Sequence, residues 1–530
     1  MKKILCLILA LLMVFSVVGC TTVGDNGGVT TDADSTEAPT TEAEITDAAT
    51  TEEPTTEEAT TESAITESAT TEGATTEGAT TEGATTEGAT TEGTTTEEVT
   101  TGPADIDDGL TFRTGYARVV ITPPQNVLEL KGKESVADDV YATCLAIDDG
   151  EKIALFVSLD MQDLMPDGND TIRSKISSVT KIPSSNIFLA VTHDHSGINF
   201  GAESVWSFNT SLNIANAAKA AINDLSETKM YIGTGDTTGA AWVRRYVMPD
   251  GSMTSISPGK GGAVKSVSDA DASLQVVRFV REEEDKKDVV LLNWQGHLAH
   301  AVGTKGLEKA LSADITHYLR EDIEKADEDA LVMFFAGASG NLNLNPPNED
   351  ARLYENYIEV AHAIADEALE VMEDLTRIKA GKINITRQTY KAKNAVDSAE
   401  DIAAAQVRLD QDKISPRSDL ERARDRYMVA RNKNAYSDLR ISAIAIGDLG
   451  LVTAPYEMFD NNGVQIKEGS PFEMTIVITN SDGAWAYMPS YEAFTEYGGY
   501  ETDATYFPTG MGEELVAEFL KMLNEVKKMG

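Results

Sequence analysis

The sequence predicts one large α/β domain, a mixed β-sheet core covered by helices, preceded by a disordered stalk. From about Thr111, short apolar runs typical of strands alternate with longer segments in which apolar residues recur about every 3.6 positions, as in helices. Residues 21–108 show neither pattern. The interleaving of strand-like and helix-like segments favours a sheet packed against helices.

The first 20 residues have the features of an export signal. Two lysines precede an apolar run from Ile4 to Val18, which is shorter than the roughly 20 residues needed to cross a bilayer. The run ends in Val-Val-Gly19-Cys20, which resembles the lipobox of bacterial lipoproteins. This resemblance implies cleavage before Cys20 and acylation of that residue, and so an extracytoplasmic protein held at the cell membrane by a lipid anchor. An ordinary signal peptide that ends at a cysteine by chance is the alternative.

Residues 21–108 are expected to form a disordered stalk. They contain no Lys or Arg, and between Thr70 and Gly93 the unit Thr-Thr-Glu-Gly-Ala repeats every five residues. Such a segment has almost no large apolar side chains to bury and repels itself, so burial cannot offset the entropy lost on ordering. As a flexible coil it would span on the order of 55 Å. Its many threonines would also suit O-glycosylation.

Residues 109–530 are predicted to be the folded domain. Its candidate strands are 112–121, 140–147, 153–158, 187–192, 230–234, 274–280, 289–294, 330–335, 381–388, 442–446, 451–454 and 475–479. Its candidate helices are 213–225, 310–326, 354–375 and 513–526. The segment 397–433 is rich in Ala, Arg, Asp and Glu, with Ser415-Pro416 near its middle, and is predicted to be a polar helical hairpin laid on the surface.

Charge and cysteine content exclude two classes of protein. The 530-residue chain has a net charge of −43, and its folded part is acidic too, so no nucleic acid partner is expected: phosphates are bound by Lys and Arg. After cleavage at Cys20, the one remaining cysteine is Cys144, which cannot form an internal disulfide. It lies in an alternating strand pattern and is expected to be a small core residue.

Histidine is scarce and clustered. Four of the six histidines follow two predicted strands: His193 and His195 follow one, and His297 and His300 follow the other. In extended backbone, residues two apart face the same side, so the imidazoles of His193 and His195 can point at one site. Open α/β sheets build their sites at the ends of adjacent strands. Imidazole with carboxylate suits zinc, and the pattern therefore predicts a catalytic zinc site. The alternative is that these histidines only hydrogen-bond loops over the sheet.

These residues also carry a resemblance to a known family, the neutral/alkaline ceramidases. The stretch His193-Asp-His-Ser-Gly197 resembles the family's His-Thr-His-Ser-Gly, which also follows a strand. Further stretches match the family in order, namely Gly115-Tyr-Ala-Arg-Val-Val-Ile-Thr-Pro-Pro124, Arg244-Arg-Tyr246, Leu311-Ser-Ala-Asp314, Gly337-Ala-Ser-Gly340 and Tyr491-Glu-Ala-Phe494. The similarity runs from about Gly115 to Val526.

The resemblance implies a zinc-dependent amide hydrolase. Four residues would be the zinc ligands, namely His193, His297, Glu457 and Tyr487. His195 would move the proton, and Arg244 and Tyr500 would stabilise a developing oxyanion or hold a substrate oxygen. In the family the substrate is ceramide, which is cleaved to a sphingoid base and a fatty acid. The implied partners are a lipid or other small-molecule substrate and, through the anchor, the membrane.

This sequence departs from the family at several positions. Asn343 occupies the place of a serine that has been assigned a catalytic role, and Asn343 cannot act as a nucleophile. The family's Gly-Pro-Gly becomes Ile198-Asn-Phe200, which is expected to reshape the substrate mouth. His300, close to His297, competes with it as a ligand.

Three functions remain open. The first is a zinc amidase that acts on ceramide-like or other N-acyl substrates. The second is a metal hydrolase that acts on a different amide or ester, such as a cell-wall or glycan derivative. The third, motivated by Asn343, is a lipid- or metal-binding lipoprotein without turnover.

Overall fold

The computed structural model describes residues 111–200, 205–255, 262–415 and 417–530. The predicted signal peptide, Cys20 and the stalk lie outside the described residues. The strands are β1 (Arg113–Val120), β2 (Ser135–Val136), β3 (Tyr141–Asp148), β4 (Ile153–Leu159), β5 (Ile187–Val191), β6 (Ser226–Asp236), β7 (Trp242–Val243), β8 (Tyr246–Val247), β9 (Met253–Thr254), β10 (Lys265–Ser266), β11 (Ser273–Arg281), β12 (Asp288–Trp294), β13 (Ala310–Leu311), β14 (Ala330–Ala336), β15 (Leu342–Asn343), β16 (Thr376–Ile378), β17 (Ile383–Lys393), β18 (Tyr436–Ile446), β19 (Leu449–Thr453), β20 (Glu457–Met458), β21 (Met474–Ile478) and β22 (Tyr487–Met488). The α-helices are α1 (Gln125–Leu130), α2 (Pro166–Thr180), α3 (Val205–Asn223), α4 (Ile315–Ala326), α5 (Tyr357–Glu373), α6 (Ala399–Gln411), α7 (Asp419–Arg431), α8 (Asp460–Gly469), α9 (Tyr500–Asp503) and α10 (Met511–Met529).

The main sheet contains nine strands of mixed direction. Eight of them follow the order β14-β12-β11-β6-β1-β3-β4-β5, and β16 pairs with β6. The pairs β12–β14 and β4–β5 are parallel, and the other pairs along this path are antiparallel. The predicted fold class, a mixed sheet covered by helices, is confirmed.

The main sheet curls, so that its two ends approach each other. Ser158, in β4 near one end, donates a hydrogen bond through Oγ to the carbonyl oxygen of Phe334 in β14 at the other end, at 2.6 Å. The segment after β21 closes the gap: Thr479 N–H donates to Ala336 O at 3.1 Å, and Val191 N–H donates to Asn480 O at 3.1 Å. The C-terminal ends of β5 and β12 are thereby brought to one place. The prediction that these two strands are adjacent is wrong, because five strands separate them in the sheet.

A second sheet fills the inside of this curl. Its order is β17-β18-β19-β21, and its apolar side chains share one core with the inner face of the main sheet. Phe156, Phe188 and Leu291 contribute from the main sheet, and Ile444 and Ile476 contribute from the second. Because both faces of β19 and β21 are buried, their sequences are nearly continuous apolar runs.

Helices cover the outer surfaces of both sheets. Helices α2 and α3 pack on the β1–β5 half of the main sheet, and α4 and α5 pack on the β11–β14 half. On the second sheet, α10 buries one face together with α8, with Phe519 at its centre. Cys144 is fully buried in β3, as expected of a core residue. In the described part of the chain, every helix is too short or too polar to cross a lipid bilayer.

Some elements differ from those predicted. Helix α2 was not predicted, because its sequence offers few regularly spaced apolar residues besides Ile172 and Ile176. The helix predicted from residue 310 begins at Ile315, where the Asp314 side chain accepts a hydrogen bond from Ile315 N–H. The preceding Ala310–Leu311 is instead a strand paired with β2.

The segment 397–433 contains the two helices α6 and α7. Helix α7 begins with a capping box between Ser418 and Glu421, which satisfies backbone N–H groups at its first turn. The hairpin is not only a surface feature, because Ala423 is fully buried against Tyr487 and the residues around α9. One side of the hairpin therefore packs beside the predicted site.

Candidate metal centre

Two loops, one after each of β5 and β12, bring three histidines together. His193 lies two residues beyond β5 and has φ +58°, so the backbone there is not extended, as had been predicted, but left-handed. The loops are tied to each other, since His195 N–H donates to Leu298 O at 2.8 Å. The ring centroids of His193, His195 and His297 lie 4.9 to 5.1 Å apart.

The hydrogen bonds of two imidazoles leave their Nε2 atoms directed into the cluster. His193 Nδ1 donates to Gln162 O at 3.0 Å, and His297 Nδ1 donates to Ser339 O at 3.2 Å. Backbone carbonyls of this kind fix the tautomer of metal-binding histidines. His297 Nε2 lies 3.0 Å from His195 Nε2, and one nitrogen of each of the three rings lies within 4.8 Å of the others.

His300 is placed differently. Its Nε2 donates to the carbonyl oxygen of its neighbour His297 at 2.7 Å, and its backbone N–H donates to Asp314. Its ring nitrogen is therefore engaged away from the three-histidine group, which contains His297 instead.

A carboxylate from a different part of the chain faces the histidines, and a tyrosine pairs with it. Glu457 in β20 pairs with Tyr487 in β22. Glu457 Oε2 lies 3.2 Å from His193 Nε2 and 4.0 Å from His297 Nδ1. The loop that carries Ser339 reaches this strand because residue 340 is glycine: a Cβ on Gly340 would lie 2.6 Å from the Glu457 carbonyl oxygen.

Arg244 borders the cluster on the side of Tyr487. Its Nε donates to Glu501 Oε1 at 2.7 Å, and its NH2 group donates to Tyr487 Oη at 3.1 Å and to Gly340 O at 2.9 Å. Its guanidinium also lies over the Tyr487 ring, 5.5 Å from the centroid. The Tyr500 ring lies 5.6 Å from that of Tyr487. The structure thus brings all seven residues predicted for the site into one neighbourhood.

Burial and charge set the protonation of this cluster. Burial alone would lower the pKa of His193, but the carboxylate of Glu457 raises it to about 9. Burial lowers the pKa of His195 and His297 well below the ordinary value, and the charge of Arg244 adds to this. Burial, and then the charge of Glu457, raise the pKa of the Tyr487 phenol. His195 and His297 are therefore neutral, and His193 is protonated and paired with the carboxylate of Glu457.

The donor set fits a metal cation. His193 Nε2 and Glu457 Oε2 are both fully buried and lie 3.2 Å apart as an ion pair, and neither makes a well-directed hydrogen bond. Unsatisfied buried polar atoms are costly unless something else pairs with them. Imidazole nitrogens with one carboxylate oxygen are the donors that zinc prefers.

The structure places the residues at two of the departures from the ceramidase sequence pattern, Asn343 and the segment 198–200. Asn343 Oδ1 accepts hydrogen bonds from Tyr246 Oη and Asn345 N–H, both at 3.0 Å, so the amide is held in place. Ile198 and Phe200 are both buried in the core beneath α2 and α3, so these side chains do not form the substrate mouth that was predicted for them.

Two residues near the site were not predicted. Glu501 is fully buried and bonds to both Arg244 and Arg245, which makes it the group that positions Arg244. Its place next to Tyr500 was the only signal in the sequence. Tyr427, from α7, packs against the cluster that holds Tyr487. A tyrosine in a polar hairpin gives no sign that the hairpin folds over the site.

Comparison with known proteins identifies the fold. No protein-family model and no curated protein matches the sequence. Among solved structures, neutral ceramidase from Pseudomonas aeruginosa matches with a TM-score of 0.57 at 16% identity, covering 79% of this chain and 75% of that one. A structure of a ceramidase complexed with C2 matches with a TM-score of 0.58 at 15% identity, covering 79% of this chain and 76% of that one. The folded part of this chain therefore has the fold of the neutral ceramidases.

Proposed function

We propose that this chain is a zinc-dependent hydrolase that cleaves the amide bond of N-acyl substrates. The observation that carries the proposal is the buried group of three imidazoles, with the Glu457 carboxylate 3.2 Å from one of them. The fold shared with neutral ceramidases supports the same reaction class, and ceramide is accordingly the first substrate to test.

The chain's own residues have distinct parts in this proposal. His193, His297, Glu457 and Tyr487 would hold the metal, with His195 close enough to share in binding it. When bound there, zinc supplies Lewis acidity, which makes water a stronger nucleophile near neutral pH and polarises a carbonyl group.

His195 is the proposed proton carrier. Its imidazole is neutral, because burial and the neighbouring charges lower its pKa, so a ring nitrogen that does not bind the metal can accept a proton from water. The same nitrogen can then return the proton to the amine that leaves. This route needs no nucleophile from the protein, which is consistent with Asn343 in the place of the family's serine.

Arg244 and Tyr500 are proposed to stabilise the oxygen of the attacked carbonyl. The bond from Glu501 fixes the Arg244 guanidinium before any substrate arrives, and such preorganised donors are effective at stabilising charge that develops in a transition state. Although burial opposes its charge, Tyr487 and Glu501 keep the pKa of Arg244 above its ordinary value, so it stays cationic.

Metal analysis and hydrolysis assays on the purified full chain test this proposal. We expect about one zinc per chain, loss of activity on chelation, and loss of both zinc and activity in His193→Ala. The matched control is His317→Ala, because His317 lies in α4 outside the cluster. Metal-free protein that cleaves N-acyl substrates as fast as metal-loaded protein would refute the proposal, and zinc without turnover on any amide or ester would favour the non-catalytic binding function.

We also propose that the domain is held outside the cell membrane by a lipid on Cys20 and spaced from it by the stalk of residues 21–108. The lipobox-like sequence and the repeat composition support this proposal. Metabolic labelling with a fatty acid, followed by membrane fractionation, tests it. Cys20→Ser should abolish the label and release the protein from the membrane fraction, and a variant that is still labelled and sedimented would contradict the anchor.

A further inference from the structure

A polar cavity adjoins the candidate metal centre. Its volume is about 530 Å³, within the range of about 300–1,000 Å³ typical of small-molecule sites. His297 and Arg244 line it, and the rest of its wall comes from the loop after β12, from the segment between Asn343 and Asn356, and from the start of α5. A group bound in this cavity would therefore lie directly beside the scissile bond.

Polar side chains, amides among them, form much of this wall. Asn343 and Asn345 line the cavity with Arg352, Tyr354 and Glu355, while the Asn356 amide is already engaged in capping α5. A carboxamide offers both donors and acceptors, which is what pairs of hydroxyl groups need. Because two hydrogen bonds already engage Asn343 Oδ1, its NH2 group is the part left to donate to a ligand. Tyr354 adds an aromatic face on which a flat apolar surface can pack.

An alkyl chain is a poor occupant for such a cavity. Covering carboxamides with methylene groups would remove their water and give no hydrogen bond in return, which is unfavourable. A hydroxyl-rich ring meets the same groups with hydrogen bonds and presents its C–H face to Tyr354.

We propose that the cavity binds an amino sugar, so that the substrate is an N-acyl amino sugar or a glycan that contains one. This inference rests on the proposed amide hydrolysis. In the reaction, the water oxygen bonds to the acyl carbon, the C–N bond breaks, and the nitrogen takes up a proton as the free amine of the sugar. The acyl group leaves as a carboxylate.

Ligand binding to the metal-loaded full chain tests this assignment separately from catalysis. The probe is the trimer of N-acetylglucosamine, measured by saturation-transfer NMR and by calorimetry, with a short-chain ceramide in detergent as the comparison. The variants are Asn345→Leu and Tyr354→Ala, and the controls are Asn434→Leu and Tyr436→Ala, which exchange the same residue types at exposed positions outside the cavity. We expect each cavity variant to weaken sugar binding about fivefold, since one lost hydrogen bond or ring contact is worth about 1 kcal/mol, and the controls to bind like wild type.

The outcomes separate the two proposals. Sugar binding that depends on Asn345 and Tyr354 supports the assignment even if no amide is cleaved, in which case the proposed hydrolysis alone is wrong. Cleavage of ceramide without measurable sugar binding overturns the assignment and leaves the hydrolysis standing. Sugar binding that survives both cavity variants overturns it as well, and so does stronger binding of a cell-wall peptide than of the sugar.

Discussion

Neutralising Glu501 should destabilise the whole domain, because this carboxylate is the counter-charge for two buried arginines. Its side chain is fully buried, and Arg244 and Arg245 beside it are only 14% and 4% exposed. Burial lowers the pKa of Arg245 even with Glu501 present, which indicates that its charge is incompletely compensated. Removing one partner of a buried ion pair typically costs about 3–5 kcal/mol. Glu501→Gln keeps the shape and one acceptor oxygen, so we expect its free energy of unfolding to fall by about that amount.

Equilibrium denaturation in urea, followed by circular dichroism on the full chain, measures this change. The control is Asp170→Asn, which removes an exposed ion pair with Arg440 and should cost less than about 1 kcal/mol. The reasoning is refuted if Glu501→Gln is no less stable than Asp170→Asn. The variant should also lose activity against any substrate that the wild type cleaves, because Arg244 would no longer be held at the site.

Three further changes test the packing around the site and the core. Gly340→Ala should lower zinc content and cost about 1–3 kcal/mol, because the new methyl group would press on the backbone of Glu457; zinc analysis that matches wild type would contradict the close approach. Phe519→Ala should lower the free energy of unfolding in urea by about 3–5 kcal/mol, whereas the exposed Tyr491→Ala should lower it by less than about 0.5 kcal/mol. Similar values for the two variants would refute the buried position of α10. Cys144 should resist iodoacetamide in the folded protein and react on unfolding, because burial raises the pKa of its thiol to about 12. Mass spectrometry of the peptide that contains Cys144 measures the labelling, and labelling of the native protein would contradict this prediction.

The strands of five or more residues could be predicted because most of them are buried on both faces, whereas those of two or three residues were missed. Residues 289–294 were predicted as a strand, and the structure has Asp288–Trp294. Continuous apolar runs of this kind indicate strands even without alternation. Helix α2 could not be found in the same way, because its burial depends on two isoleucines and on the partners that tertiary structure supplies. Its remaining residues are mostly polar.

The site was predictable in unequal parts. The scarcity of histidine made His193, His195 and His297 stand out, since two pairs followed two apolar strands. Glu457 and Tyr487 came only from the resemblance to ceramidases, because one acid among 87 Asp and Glu carries no signal of its own. Neither residue scarcity nor the resemblance to ceramidases pointed to Glu501. Its importance depends on the depth at which it meets Arg244, which is a property of the packed structure.

The wrong prediction about the strands explains how the centre is built. If β5 and β12 were neighbours in the sheet, the histidines would be fixed by local pairing alone. They instead follow strands separated by five others, and they meet because the sheet curls around β17–β21. Glu457 follows β19 and Tyr487 follows β21, two strands of the second sheet. A cation at the centre would therefore connect the two ends of the main sheet to the second sheet. A metal that binds only when all these segments are in place stabilises the folded state, and it does so more strongly the more tightly it binds. Metal at this centre would thus contribute to stability as well as to catalysis.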